Sequence, residues 1–363
     1  MHNSLSRREF LRRAGIGAAA MTLPSIGRGA EMTHRERIEA VIAGKETDRL
    51  PFSFWWHFAN QDRNPRRLAE LCLALQKEMG LDFIKFAPYG LYSVVDWGTI
   101  LNVRGGDRTP VVAEYGIKQP EDWRKLKVIE PTEGEYAVLL AAQRIAIRER
   151  RDDTPLVQTV FNPLTSAAKL AGAGMLLEHI REHPDAVQAG LEVITETTRK
   201  LAIEIMKQGA DGLFYATQWT DRGRLTVDEF RTFSKNHDLD ILDAIKGDAW
   251  FSMLHFHRDA MWGEVLDYPV QAFNFPDYGD NALSIDEARK ITDKVLITGL
   301  PSGLRGGGLL EVGAPADAQA LVDNAWKGGT RRGVILAPDE VVNHNAKAEN
   351  LAQLVEGVAA TAG

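Results

Sequence analysis

Two histidines spaced one residue apart, His255 and His257, are the side chains in this sequence best placed to do chemistry together. If the segment is extended, both imidazoles leave the same face of the strand, while Leu254 and Phe256 leave the other. Neutral imidazoles on one face suit zinc or a similar divalent metal. A third donor is available in Glu340. Two histidines and a carboxylate would leave a coordination position for substrate or water. The same pair could instead bind substrate by hydrogen bonds without any metal, and the spacing alone leaves both readings open.

The surrounding sequence must supply the strand. Short apolar runs alternate with helical stretches along the chain: Pro51–His57, Asp82–Ala87, Leu156–Phe161, Gly212–Thr217, Ala249–His257, Val270–Phe275, Lys294–Gly299 and Gly333–Ala337. Helical periodicity fills most of the intervals, at Pro65–Met79, Gly134–Arg150, Ala186–Gln208, Val227–Ile245, Ile285–Ile291 and Ala316–Trp326, with a last helix at Ala346–Ala359. A capping box, Thr33 with Glu36, opens a first helix. Continuous apolar strands joined by helices predict a parallel sheet covered on both faces. Eight units predict an α/β fold of the single (β/α)8 TIM-barrel type, with the site at the C-terminal ends of the strands. No Gly-x-Gly-x-x-Gly follows the first strand, against a dinucleotide-binding open sheet. Polar and aromatic residues gather at those ends: Trp55 and His57, Tyr89, Asn162, Gln218 and Trp219, Asn274 and Asp277, and Glu340. They are the predicted lining of a small-molecule pocket. The loop Gly303–Gly308 could cradle an anion, but reads better as a barrel loop.

The chain of 363 residues is 44% hydrophobic and 26% charged, enough for one large core. Five arginines and one acid among residues 1–30 leave the remainder more acidic than the whole chain's net −7. An acidic body argues against nucleic acid as a partner. The one cysteine, Cys72, excludes an intrachain disulfide and reads as a buried thiol. No stable membrane span is expected. The start, Ser6-Arg7-Arg8-Glu9-Phe10-Leu11 followed by a weakly apolar run, looks like a twin-arginine signal. That predicts the Tat export machinery as a partner and a periplasmic or secreted location. Residues 1–30 are assigned to this signal and 31–363 to the barrel.

A set of short segments, in order along nearly the whole chain, resembles the uroporphyrinogen decarboxylase superfamily. They are Arg35-Glu36-Arg37, Gly44-Lys45-Glu46, Asp48-Arg49-Leu50-Pro51, Gly209-Ala210-Asp211-Gly212, Leu254-His255-Phe256-His257, Gly313-Ala314-Pro315, Gly333 to Pro338 and Glu349-Asn350-Leu351. The resemblance implies one of two chemistries. One branch decarboxylates a porphyrinogen with neither metal nor cofactor. The other transfers methyl groups between corrinoid carriers and thiols, on a zinc ion held by a His-x-Cys pair and a later Cys. Here those positions read His255-x-His257 and Glu340, so the thiolates are replaced. The decarboxylase motif Arg-Gln-Ala-Gly-Arg is absent from the matching segment, His57 to Arg63, with Arg66 and Arg67 beyond it. By the same resemblance, Asp96 corresponds loosely to the aspartate that binds pyrrole nitrogens. The leading expectation is methyltransferase-like chemistry, with metal on His255, His257 and Glu340 and with Asp96 and His57 positioning a small or corrinoid substrate. Metal-free decarboxylation and exported ligand binding without turnover are the alternatives. A homodimer is the habit of the family.

Overall fold

The structure, a computed structural model, describes residues 31–362 apart from 60, 104–108, 258, 280, 303–307, 330–331 and 343–344. The expected signal segment and most of the Gly303–Gly308 loop therefore lie outside the described residues. The first helix, His34–Ile42, starts as its capping box requires: the Thr33 hydroxyl accepts from Glu36 N at 3.2 Å, and the Glu36 carboxylate accepts from Thr33 N at 2.8 Å. The helix Pro65–Met79 has the predicted bounds. Asn64 caps it, Pro65 opens it, and Gly80 ends it in the left-handed region at φ 62°.

The sheet is parallel and curled, with seven strands: β1 (Ile84–Phe86), β4 (Leu156–Phe161), β5 (Gly212–Thr217), β6 (Met253–Phe256), β7 (Ala272–Asn274), β8 (Val295–Leu300) and β9 (Val334–Pro338), paired in that order. Between β1 and β4 lies an unanticipated antiparallel pair, β2 (Ile100–Asn102) and β3 (Val111–Glu114). The eighth expected strand, Pro51–His57, makes only one parallel bridge, Phe52 to Leu336. Pro51 has no N–H to donate, and the N–H of Phe52 goes to the Asp82 carboxylate at 2.8 Å. The segment still touches both edge regions. Leu336 N donates to Pro51 O and Ser53 N to Leu336 O on one side, and Asp82 N donates to Phe52 O on the other.

The helix expected at Val227–Ile245 is interrupted. A π-turn at Arg231–Lys235 separates Val227–Phe230 from Asn236–Asp243. It brings Ser234 and Asp238 inward, where the buried Asp238 accepts from Ser234, Tyr215, Tyr268 and Asn162 at 2.8–2.9 Å. Such a bulge serves polar partners, to which apolar periodicity is blind.

Two ionic clusters hold the N-terminal part to the sheet. Asp82, fully buried, accepts from Arg37, from both terminal nitrogens of Arg49, and from Phe52 N; His34 lies 3.0 Å away. Asp211 accepts from Arg35, Arg150, Trp250 and Leu156 N. Burial alone would raise the Asp82 carboxyl, but Arg49, His34 and Arg37 hold it well below the usual range. Removing that charge strands the buried guanidinium of Arg49 and takes one of two carboxylates from Arg37, which keeps Asp48. The Asp82→Asn protein should lose about 3–5 kcal/mol of stability in denaturant unfolding, whereas Lys118→Ala, which breaks an exposed pair, should change it by less than about 1 kcal/mol.

Candidate active site

Strand β6 alternates as predicted. Phe256 packs outward against Trp262 and Phe273, with ring centroids 4.7 and 5.8 Å apart. His255 therefore faces the inside of the curl, stacked on Phe214 at 4.9 Å and 5.1 Å from the ring of His257. Its Nδ1 lies 2.7 Å from Asn274 Oδ1. Asn274 donates through its amide nitrogen to Ile297 O and Pro338 O, so its oxygen is the acceptor. The proton of His255 must then sit on Nδ1, which leaves Nε2 with a lone pair. Burial and the neighbouring His257 keep this imidazole well below its ordinary pKa, hence neutral. His257 Nε2 lies 3.6 Å from Glu340 Oε1. The two histidines and the carboxylate are thus neighbours. Even so, among the described residues no three His, Cys, Asp or Glu side chains converge as a metal site.

A second group of polar atoms extends from the segment after Pro51. His57 Nδ1 is buried without a hydrogen-bond partner and lies 3.8 Å from Asp62, whose two carboxyl oxygens are also buried and unpartnered among the described residues. Burial pushes Asp62 up to about 7 and His57 down to about 3, so each favours its neutral form near pH 6. Lys85, on β1, is 7% exposed; its amino group lies 4.3 Å from the ring of Phe214 and 5.2 Å from that of Trp55. Phe214 thus touches both Lys85 and His255, which joins the two groups. The indole N–H of Trp55, the hydroxyl of Tyr89 and Thr159 Oγ1 are buried without hydrogen-bond partners among the described residues. Buried polar atoms of this kind are open to hydrogen bonds from water or a bound molecule.

Not every predicted residue belongs here. Asp96 is exposed, and its carboxylate accepts from Glu135 N at 2.8 Å at the start of helix Gly134–Glu149, so its role is to cap a helix. Asn162 is bound to structure: its oxygen caps helix Pro163–Ala171 and its nitrogen donates to Ser234 and Asp238. Asn274 positions His255 rather than offering itself to substrate. Asp277 accepts from Thr298 at 3.1 Å and is raised by burial. Trp219 is buried beneath Arg224 at 5.1 Å, and Gln218 is half-buried next to it. Arg66 and Arg67 pair with Glu70, and Arg66 also pairs with Glu149. Sequence reasoning missed Asp62 and Lys85. For Lys85 a signal existed, since a lysine two places after Phe83 in an otherwise apolar strand shares its face.

A parallel α/β sheet with polar and aromatic groups at the carboxyl ends of its strands defines the class of the protein. The chain belongs to the uroporphyrinogen decarboxylase (URO-D) family, whose profile it matches over residues 33–361. It is 22% identical over 220 residues to methylcobamide:CoM methyltransferase MtaA of Methanosarcina barkeri, a match that spans 56% of this chain and 64% of that protein. In three dimensions it superposes on a methyltransferase from Methanosarcina mazei with a TM-score of 0.76 at 21% identity, covering 90% of this chain and 98% of the other. A B12-independent methionine synthase from Shewanella sp. W3-18-1 superposes at 0.53 with 11% identity, covering 86% and 94%. These likenesses establish the fold.

The Asp62 carboxyl has its folded-state value above the ordinary 3.8, near 7. Its contribution to stability is therefore full below about pH 4 and is lost as the pH rises towards 7. The Asp62→Asn protein should show a flatter profile of unfolding free energy across that window. Relative to wild type it should gain up to roughly 4 kcal/mol at pH 8. Urea melts at a series of pH values measure this, and parallel profiles would count against a protonated Asp62.

Proposed function

We propose that this protein is an enzyme of the methyltransferase-like branch of its family. On this reading it acts on a small thiol or similar nucleophile and a corrinoid-type methyl donor, with a divalent metal held by His255, His257 and Glu340. The observation that carries the reading is the tautomer of His255. Asn274 fixes the proton on Nδ1, and Nε2 is left as a lone-pair donor beside His257 and Glu340. Metal-binding histidines are characteristically oriented this way, by a hydrogen bond to the nitrogen that does not bind. The donor set, two nitrogens and one oxygen, fits zinc chemically. A thiolate ligand is not on offer, because the one cysteine, Cys72, is buried within helix Pro65–Met79. A bound zinc would lower the pKa of a coordinated thiol. The likeness to two methyltransferases supports the branch.

The chain's own residues supply the rest. Trp55, Phe214 and Tyr89 bring buried aromatic surface to these groups. Asp62 carries a proton beside the neutral imidazole of His57, and the pair can give up or take a proton as substrate charge changes. A porphyrinogen substrate suits the site less well, since Arg66 and Arg67 are already paired with glutamates and Arg63 lies over Tyr89. We take the sheet to close as an eight-fold barrel through Pro51–Ser53, and residues 1–30 to direct export by the twin-arginine route. Assembly as a homodimer belongs to the same reading.

Elemental analysis of untagged protein tests the metal. About one zinc per chain is expected, with at least a tenfold loss in the His255→Ala/His257→Ala variant. The same preparations, assayed for methyl transfer from methylcobalamin to a small thiol, should lose turnover in parallel. A metal-free wild type after reconstitution with zinc would overturn the reading.

A further inference from the structure

The group that the proposed metal chemistry leaves unused is Lys85. Its side chain is buried, and its amino group makes no hydrogen bond or ion pair among the described residues. The rings of Trp55 and Phe214 form its walls. The titratable groups that act on it or feel it come from four neighbouring elements: His57 from the segment after Pro51, Cys72 from helix Pro65–Met79, Lys169 from helix Pro163–Ala171, and His255 from β6. Three of these four would be cationic if charged, and the fourth is a thiol pushed up to about 12. Among the described residues no carboxylate acts on the amine. Lys169 differs, since its amino group donates to Gly90 O at 2.7 Å. A lysine desolvated among potential cations, without a counter-ion, has the surroundings that make an amine a nucleophile.

We propose that Lys85 is a second reactive centre, an amine that condenses with the carbonyl group of a small aldehyde or ketone. The Nζ lone pair adds to the carbonyl carbon, forming a nitrogen–carbon bond as the carbon–oxygen π pair moves to oxygen. One proton passes from nitrogen to that oxygen, giving a carbinolamine. Loss of water, with a second nitrogen proton, leaves the imine, and no oxidant or reductant is needed. Desolvation lowers the lysine to about 7 from its ordinary 10.5, so half of it is free amine at neutral pH. That is roughly a thousandfold more than an ordinary lysine offers. Phe214 touches both Lys85 and His255, so the amine lies on the same face of the sheet as the histidine pair.

Acetylacetone is a suitable probe, since its condensation with an amine expels water and yields a stable conjugated enaminone with a near-ultraviolet band. The full chain treated with it across a neutral-to-alkaline pH series should take up one equivalent. Peptide mass spectrometry should locate the adduct on Lys85, with a half-maximal rate near pH 7. Lys85→Met should abolish that band. The His255→Ala/His257→Ala variant should retain it, so the result stands apart from the metal reading. If Lys85→Met fails to fold, the wild-type adduct map still decides. Reaction of exposed lysines alone, or a midpoint for Lys85 near 10.5, would overturn the proposal.

Discussion

The buried carboxylate of Asp82 is the constraint on which the sheet's arrangement rests. It gathers Arg37 from the first helix, Arg49 from the following loop and the N–H of Phe52, while its own N–H returns to Phe52 O. Isolated in a core, any of these charges would be prohibitive; together they are hydrogen-bonded and compensated. The cluster fixes where residues 51–53 run, and that path sets Trp55 and His57 over the strand ends. Arg37, Arg49 and Asp211, which lie in segments that carried the family resemblance, thus serve assembly at a distance from the chemistry.

At the other end of the strands Asn274 plays the corresponding part. It joins β6, β8 and β9 through one side chain, and in doing so selects the tautomer of His255. A change there would act on the histidine through orientation and proton position, with no contact to substrate.

Burial at the strand ends favours neutral forms. Burial lowers His57, His255 and Lys85 and raises Asp62, each toward the uncharged state. Aromatic walls with few counter-ions give the site a low dielectric, in which a charge brought by substrate or metal would interact strongly. Burial thereby favours imidazoles with free lone pairs, a protonated Asp62 and an uncharged Lys85 amine.

Several features were legible in the sequence for local reasons. The capping box of Thr33 and Glu36, helix Pro65–Met79 and the same-face placement of His255 and His257 follow from short-range geometry, since cap chemistry and a two-residue period need no distant partner. Seven of the eight expected strands formed where their apolar runs lie, although their pairing is parallel and long-range. Long-range pairing decided the rest. Phe52 gave its N–H to a carboxylate thirty residues away, so a strand-like run became a bridge. Asp96 and Asn162 became caps because helices began beside them. The proton on His255 depends on carbonyls of β8 and β9, and the neutrality of Asp62 and Lys85 on walls drawn from remote segments. Residue type and spacing determined which groups were available; desolvation and hydrogen bonds across the sheet determined which of them meet and in what protonation state.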